Sequence, residues 1–139
     1  MNLIRVCEEH FDELRRLQLL YKREIGEDAP SDDDFERLRQ AIRNEEIVFY
    51  ACEDGGRLVG CCSAAPVFST FTYRRGGVFE DFYIEPAYRH RGLARELVAF
   101  AFRESGLAFL TVGAAACDVA MYKALGFTAE LGTMLALAD

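Results

Sequence analysis

The sequence lacks any long apolar run. No stretch approaches the roughly 20 consecutive apolar residues that span a bilayer, and residues 1–10 contain no apolar core of the kind that a secretory signal peptide has. We therefore expect a cytoplasmic protein without a membrane partner. With 139 residues, of which 51% are hydrophobic and 28% charged, we expect one domain, residues 1–139, around one core.

Metal-binding and disulfide-forming patterns are also scarce. The only histidines are His10 and His90, and no Cys-x-x-Cys pair is present, so we expect no metal site. The five cysteines are an odd number and most stand among apolar residues, which argues against a disulfide framework. We expect buried, reduced thiols that pack as small apolar groups, with Cys117 alone near the site described below.

Basic residues are in deficit. There are 16 lysines and arginines against 23 acids, a net charge of −7, which argues against nucleic acid as a partner because phosphate binding needs a basic surface. The charge is uneven: residues 27–36 hold six acids and no base, whereas residues 89–95 hold three arginines, one histidine and no acid. Two segments of opposite sign suit two different ligands.

Hydrophobic periodicity predicts ten elements in the order β-α-α-β-β-β-α-β-α-β. They cover residues 3–6, 8–25, a helix that begins at Ser31 and includes Ile42, and residues 47–52, 57–68, 78–84, 93–105, 107–112, 119–125 and 127–137. The last segment is one strand, or two joined near Gly132. Ser31 is expected to cap the second helix, Pro66 to mark a sheet edge or the end of pairing, and Gly76-Gly77 to precede the fourth strand. Three consecutive strands indicate an antiparallel meander, and the later strand–helix–strand unit indicates a parallel pair. The predicted fold class is α/β (α+β mixed): one mixed, mostly antiparallel sheet with helices on both faces.

The most informative segment is residues 78–95, VFEDFYIEPAYRHRGLAR. A strand runs into Pro86, and the chain then turns through Gly92, which permits an unusual backbone conformation, into a helix. Free N–H groups at a helix start bind anions, and Arg89 and Arg91 add positive charge, so this loop suits a pyrophosphate. An ordinary helix start with solvated arginines is the alternative. Neither a P-loop nor a dinucleotide-binding glycine pattern is present.

A second segment, residues 121–127, reads MYKALGF. It places Tyr122 on a short helix, and Gly126-Phe127 then leads into an extended segment. By itself this pattern indicates a core aromatic residue with its hydroxyl at the rim.

Together the two segments resemble the GNAT superfamily of N-acetyltransferases, and within it the small-amine enzymes of the diamine and polyamine type. The family's loop, Arg/Gln-x-x-Gly-x-Gly/Ala, is matched by Arg89, Gly92 and Ala94. Its acidic strand and its later Tyr-x-x-x-Gly-Phe are matched by Glu80, Asp81, Tyr83, Ile84, Pro86, Tyr122, Gly126 and Phe127. The resemblance covers about a third of the chain by motif and the whole chain by topology.

The resemblance implies acetyl-CoA as co-substrate, no metal, and direct attack by an amine in a ternary complex. It implies that the backbone of Phe82, Tyr83 and Ile84 pairs with the pantetheine arm and that the Ile84 N–H stabilises the oxyanion. The N–H groups of six residues would hold the pyrophosphate: His90, Arg91, Gly92, Leu93, Ala94 and Arg95, after Arg89. Tyr122 would protonate the leaving thiolate, and Glu80 would act as the general base.

Two positions depart from the family pattern. Ala115 stands where an asparagine usually contacts the cofactor arm, and Asp118 stands where alanine is usual, from where it could cap the short helix. Glu80 and Asp81 are neighbours on a strand, so we expect them to point to opposite faces, with Glu80 in the site.

We expect the acceptor to be a small cationic amine held near the acids of residues 27–36; these acids could instead serve only for solubility and helix capping. The alternatives to a small-molecule enzyme are acetylation of a protein N-terminus or lysine, and a non-catalytic acyl-CoA-binding module. The presence of both Tyr122 and Glu80 argues against the latter. The resemblance also admits a homodimer, because many relatives of this fold dimerise.

Overall fold

Five strands form one sheet in the order β1-β2-β3-β4-β5, in a computed structural model that describes all 139 residues. The strands are β1 (Asn2–Arg5), β2 (Val48–Asp54), β3 (Arg57–Ser69), β4 (Arg74–Ile84) and β5 (Leu110–Thr111). The first three pairings are antiparallel, and β5 lies parallel to β4. The predicted fold class, one mixed and mostly antiparallel sheet, is confirmed.

Four helices cover the two faces of this sheet. They are α1 (Phe11–Glu24), α2 (Asp32–Arg43), α3 (Leu93–Ser105) and α4 (Val119–Ala124). Alternation along β2 divides the core, because Phe49 and Ala51 pack towards α1 and α2, whereas Tyr50 and Cys52 pack towards α3. Every helix is too short or too polar to cross a lipid bilayer.

The boundaries of α1 and α2 follow local chemistry. Ser31 caps α2 as predicted: its hydroxyl accepts from the Asp34 N–H at 3.1 Å, and its own N–H donates to the Asp34 carboxylate at 2.9 Å. Gly26 follows α1 with φ +75°. Residues 8–10, predicted as helix, form a separate 3₁₀ turn instead, in which the Cys7 N–H donates to His10 Nδ1 at 2.9 Å.

Pro66 lies where pairing on one side of β3 has ended. The last β2–β3 pair joins Val48 and Ala64, whereas pairing with β4 continues to Ser69 and Arg74. The expectation that this proline marks the end of pairing is confirmed, since its missing N–H faces no strand partner.

Two glycines predicted to precede β4 lie inside it. A Cβ on Gly76 would stand 2.1 Å from the ring of Phe109, and one on Gly77 would stand 2.6 Å from Leu107 Cδ1. The side chains of Leu107 and Phe109, in the segment before β5, therefore occupy the space beside β4 where β4 has no side chains. The backbone of this segment runs alongside β4, since the Ala108 N–H donates to the Arg75 carbonyl at 2.8 Å and the Gly77 N–H donates to the Phe109 carbonyl at 3.0 Å. Only Leu110–Thr111 is strand, instead of the predicted residues 107–112.

The predicted last strand, residues 127–137, is wrong: this segment forms no strand. A strand needs a neighbour for its backbone groups, and β5 offers only two residues at that edge. Phe127 packs against the core, but the four large apolar side chains after it are 74–103% exposed: Leu131, Met134, Leu135 and Leu137.

Candidate active site

A β-bulge in β4 shapes the centre of the site. Cys61 of β3 pairs with Tyr83 and Ser63 pairs with Glu80, so β4 carries one extra residue at Asp81. Asp81 adopts φ +55°, and its carboxylate accepts a 2.7 Å hydrogen bond from the hydroxyl of the buried Ser63. The buried serine therefore holds the bulge residue in its left-handed conformation.

The bulge changes which face the acidic residues occupy. Phe79 and Phe82 both pack into the core beneath α3, and Tyr83 packs beneath α1. Two residues separate Phe79 from Phe82, so Glu80 and Asp81 both lie on the α1 side. The expectation that they point to opposite faces is wrong because alternation breaks at a bulge.

Tyr21 of α1 lies beside these carboxylates. Burial raises its pKa to about 12, and the charges of Asp81, Tyr122, Glu27 and Glu80 add to the effect. The Tyr21 phenol therefore remains protonated at neutral pH and lies within electrostatic reach of the carboxylates of β4 and the phenol of α4. In the sequence, Tyr21 lies within the predicted helix of residues 8–25, where the apolar spacing places it on the buried face and no motif marks it.

β4 has an open edge beyond Val78. Its pairing with β5 consists of Gly77–Leu110 and Val78–Thr111 and goes no further. The Glu85 N–H donates to the Val59 carbonyl of β3 at 2.9 Å, and because successive backbone groups alternate, the Ile84 and Phe82 N–H groups face the open edge. The backbone of Tyr83, also predicted to bind the cofactor arm, faces β3.

The loop before α3 presents six free backbone donors. The N–H groups of residues 90–95 make no backbone hydrogen bond, and the first helical bond runs from Glu96 N–H to Gly92 O at 3.2 Å. His90 and Gly92 have φ values of +63° and +77°. A left-handed turn followed by a helix N-terminus directs several N–H groups towards one point, which is an arrangement that binds phosphate oxygens.

The arginines of this loop have different surroundings. Arg89 turns back into the protein, where its Nε donates to the Ile84 carbonyl at 2.8 Å and its Nη2 donates to Glu24 at 2.6 Å. Arg91 lies 5.3 Å from the ring centroid of Tyr88. Arg91 and Arg95 form no ion pair within the chain, so both remain available to an anion.

Tyr122 stands on α4 among aromatic rings. Its ring centroid lies 6.4 Å from Phe79, 6.3 Å from Phe82 and 5.7 Å from Phe127. Its hydroxyl makes no hydrogen bond within the chain, and burial, with a smaller contribution from Asp118, raises its pKa. The phenol is therefore a proton donor at neutral pH. Asp118 does not cap α4 through its side chain, so that expectation is wrong.

Three of the six acids of residues 27–36 form ion pairs with nearby bases. Asp32 accepts from Arg15 at 2.5 Å, and Glu27 pairs with Lys22 at 3.3 Å. Asp34 binds the Ser31 cap and pairs with Arg37. These contacts favour the alternative in which the segment caps and solubilises α2.

The five thiols are free, and three of them are buried: Cys52, Cys61 and Cys62. Burial raises the pKa of Cys52 to about 12, so this thiol is protonated and packs as an apolar group. Cys7 is exposed, contrary to the expectation of burial, and Cys117, which was set apart as near the site, is exposed as well.

One group of metal-ligand types occurs outside the site. Ligand atoms of Cys7, Glu9 and His10 lie within 4.8 Å of one another. However, His10 Nδ1 accepts the Cys7 N–H at 2.9 Å, so in the neutral ring Nε2 carries the proton and offers no lone pair. The group is not arranged to bind a metal ion.

The sequence profile of the acetyltransferase (GNAT) family matches residues 11–127. The chain belongs to this family. It is therefore an acyl-CoA N-acetyltransferase, and the free N–H groups of residues 90–95 and the open edge of β4 fit the phosphates and the amide-bearing arm of acetyl-CoA. No curated protein matches the chain in sequence.

Solved structures share the fold of this GNAT protein along its whole length. A probable acetyltransferase is 25% identical, with a TM-score of 0.86 and coverage of 100% of this chain and 99% of the other. A predicted acetyltransferase from Clostridium acetobutylicum, solved with acetyl-CoA, is 18% identical, with a TM-score of 0.80 and coverage of 99% and 95%. An aminoglycoside acetyltransferase from an uncultured soil metagenomic sample is 15% identical, with a TM-score of 0.83 and coverage of 99% and 95%.

Proposed function

We propose that this enzyme acetylates the primary amine of a small cationic molecule by direct attack in a ternary complex with acetyl-CoA. The observation that carries the proposal is the bulge in β4, which directs the carboxylates of Glu80 and Asp81 towards Tyr21 of α1. Two neighbouring carboxylates attract a cation, and one of them can accept the proton that an ammonium group must lose before it attacks.

Acetyl-CoA supplies a thioester carbonyl when it is bound. The N–H groups of residues 90–95 hold its pyrophosphate, and the N–H groups of Phe82 and Ile84 bind its arm along the open edge of β4. The Ile84 N–H donates to the oxygen on which negative charge develops. Ala115 contributes no polar side chain to this contact, so the backbone donors hold the arm without the family's usual asparagine.

Glu80 and Tyr122 carry the two proton transfers. Glu80 is exposed and forms no ion pair, so its carboxylate is free to accept a proton from the acceptor amine, directly or through water. The Tyr122 phenol, protonated at neutral pH, donates to the departing thiolate. Asp81 is held by Ser63, and it fixes the charged end of the acceptor instead of exchanging protons.

The deciding experiment measures free thiol released from acetyl-CoA in the presence of putrescine, spermidine, a neutral-tailed amine, and peptides with a free N-terminus or a lysine. We expect the polyamines to be preferred and Asp81→Asn to raise their KM, with Asp33→Asn in the acidic segment as the matched control. Preference for a peptide would establish the protein-acetylating alternative. Cofactor binding without thiol release on any amine would establish a non-catalytic module.

The assembly and location of the enzyme are also part of the proposal. We infer a homodimer in which residues 131–137 of two copies cover each other, because their large apolar side chains are exposed. Light scattering tests this inference: Leu135→Asp should yield monomers, and a wild-type monomer at all concentrations would refute it. Five free thiols fit the reducing cytoplasm, where we propose that the enzyme acts.

A further inference from the structure

The guanidinium group of Arg89 connects three parts of the active site. Its Nε donates to the carbonyl of Ile84 at the end of β4, and its Nη2 donates to Glu24, the last residue of α1. Its centre also lies 5.6 Å from the ring centroid of Tyr83. Glu24 and Arg89 stand 65 residues apart in the sequence, so this contact exists only in the folded chain.

These contacts direct Arg89 away from an anion in the loop. A guanidinium group binds phosphate best with its donors in a planar fork, but here Nε and Nη2 are already engaged by a carbonyl and a carboxylate. Glu24 also neutralises the charge that a phosphate would attract. The free positive charges of the loop are those of Arg91 and Arg95.

The same contacts connect the part of the site proposed to bind the cofactor with the part proposed to bind the acceptor. Ile84 presents its N–H to the open edge of β4, while its carbonyl is held by Arg89, the first residue of the phosphate-binding loop. Glu24 follows Tyr21 by three residues, so it lies in the same helical turn of α1 as the phenol beside the acceptor carboxylates.

We propose that Arg89 is a positioning residue that ties α1 to the phosphate-binding loop and to Ile84 through Glu24, and that it is not a phosphate ligand. The proposal rests on the proposed function, because it takes residues 90–95 and Ile84 as the cofactor site. It assigns the motif arginine a role within the protein, and it makes the acidic residue at the end of α1 a determinant of cofactor affinity.

The test is the dissociation constant of coenzyme A, measured by titration calorimetry with the intact protein, for Arg89→Gln, Glu24→Gln and the double variant. If Arg89 positions the loop, each single substitution weakens binding by about two- to fivefold, the range for a half-exposed ion pair, and the double variant is no weaker than either. Glu45→Gln is the matched control, because it also removes one exposed ion pair, in which Glu45 Oε1 lies 2.8 Å from Nη2 of Arg5 in β1. This control leaves the dissociation constant unchanged.

If Arg89 bound phosphate instead, Glu24→Gln would change the dissociation constant of coenzyme A in the opposite direction. Removing the competing carboxylate would then free the guanidinium, so Glu24→Gln would tighten binding or leave it unchanged, while Arg89→Gln would weaken it and flatten its salt dependence. That result overturns the proposal. The measurement needs no acceptor: a wild type that binds coenzyme A but acetylates no amine refutes the enzyme function, and the pattern of the variants still decides the role of Arg89.

Discussion

Replacing Tyr122 by phenylalanine removes one atom, the phenol oxygen, and should separate catalysis from packing. The ring contacts with Phe79, Phe82 and Phe127, at centroid distances of 5.7–6.4 Å, do not involve this oxygen. The hydroxyl has no hydrogen-bond partner within the chain, so its loss leaves no buried group unsatisfied. We expect the free energy of unfolding to change by less than about 0.5 kcal/mol.

The effect on turnover should be much larger. General acid catalysis contributes about 10²–10⁴-fold, which corresponds to about 2.7–5.4 kcal/mol of activation free energy at 1.36 kcal/mol per tenfold. We therefore expect kcat to fall within this range while the dissociation constant of coenzyme A stays constant. Because burial raises the pKa of Tyr122, the donor is protonated below the ordinary tyrosine value of about 10, and wild-type kcat should lose this contribution only above that pH.

The assay is steady-state thiol release on the best acceptor, with thermal unfolding and calorimetric titration of the same samples. Tyr50→Phe is the matched control, since Tyr50 is another buried phenol in the core beneath α3 and has no role in the proposed chemistry. Wild-type kcat in Tyr122→Phe would refute the reasoning and leave Tyr122 as a packing residue. An equal fall in kcat for Tyr50→Phe would assign the loss to packing instead.

Three further predictions concern the phosphate-binding loop, the glycines of β4 and acid stability. Gly92→Glu should abolish the thermal stabilisation by coenzyme A, about 2.7 kcal/mol at a hundredfold excess over Kd. The space around Gly92 is open, but its φ of +77° strains a residue with a Cβ, and the added charge repels phosphate. A retained shift in the melting curve would contradict this. Gly76→Ala should destabilise the fold by about 1–3 kcal/mol in urea unfolding, because its Cβ would lie 2.1 Å from Phe109; unchanged stability would show that the ring moves away freely. The hydrogen bond from Arg16 lowers the pKa of Glu13. The stability that this carboxylate contributes is therefore fully present above the ordinary glutamate pKa of about 4.3, and it is lost as the pH falls through the lower pKa of the folded state. Glu13→Gln should reduce the loss of stability over that pH range, and an unchanged pH profile would contradict this.

Local patterns in the sequence were sufficient for most of the secondary structure. The continuous run of β-forming residues 47–52 predicted a strand, and the structure shows Phe49, Tyr50, Ala51 and Cys52 buried on its two faces. Ser31 predicted the start of α2, because a capping hydroxyl needs only the N–H groups of the next three residues. The glycine-containing loop before α3 was predicted in the same way, since it depends on φ at Gly92 and on the unpaired N–H groups of one helix start.

Features that depend on distant residues were decided only by the tertiary structure. The bulge at Asp81 requires β3 as a pairing partner and Ser63 as a donor, and it moves both acidic residues to one face against the rule of alternation. The contact between Arg89 and Glu24 joins elements far apart in the chain. Residues 127–137 have the composition of a strand but form none, because strand formation depends on the neighbour that the fold provides, and β5 is too short to pair with them.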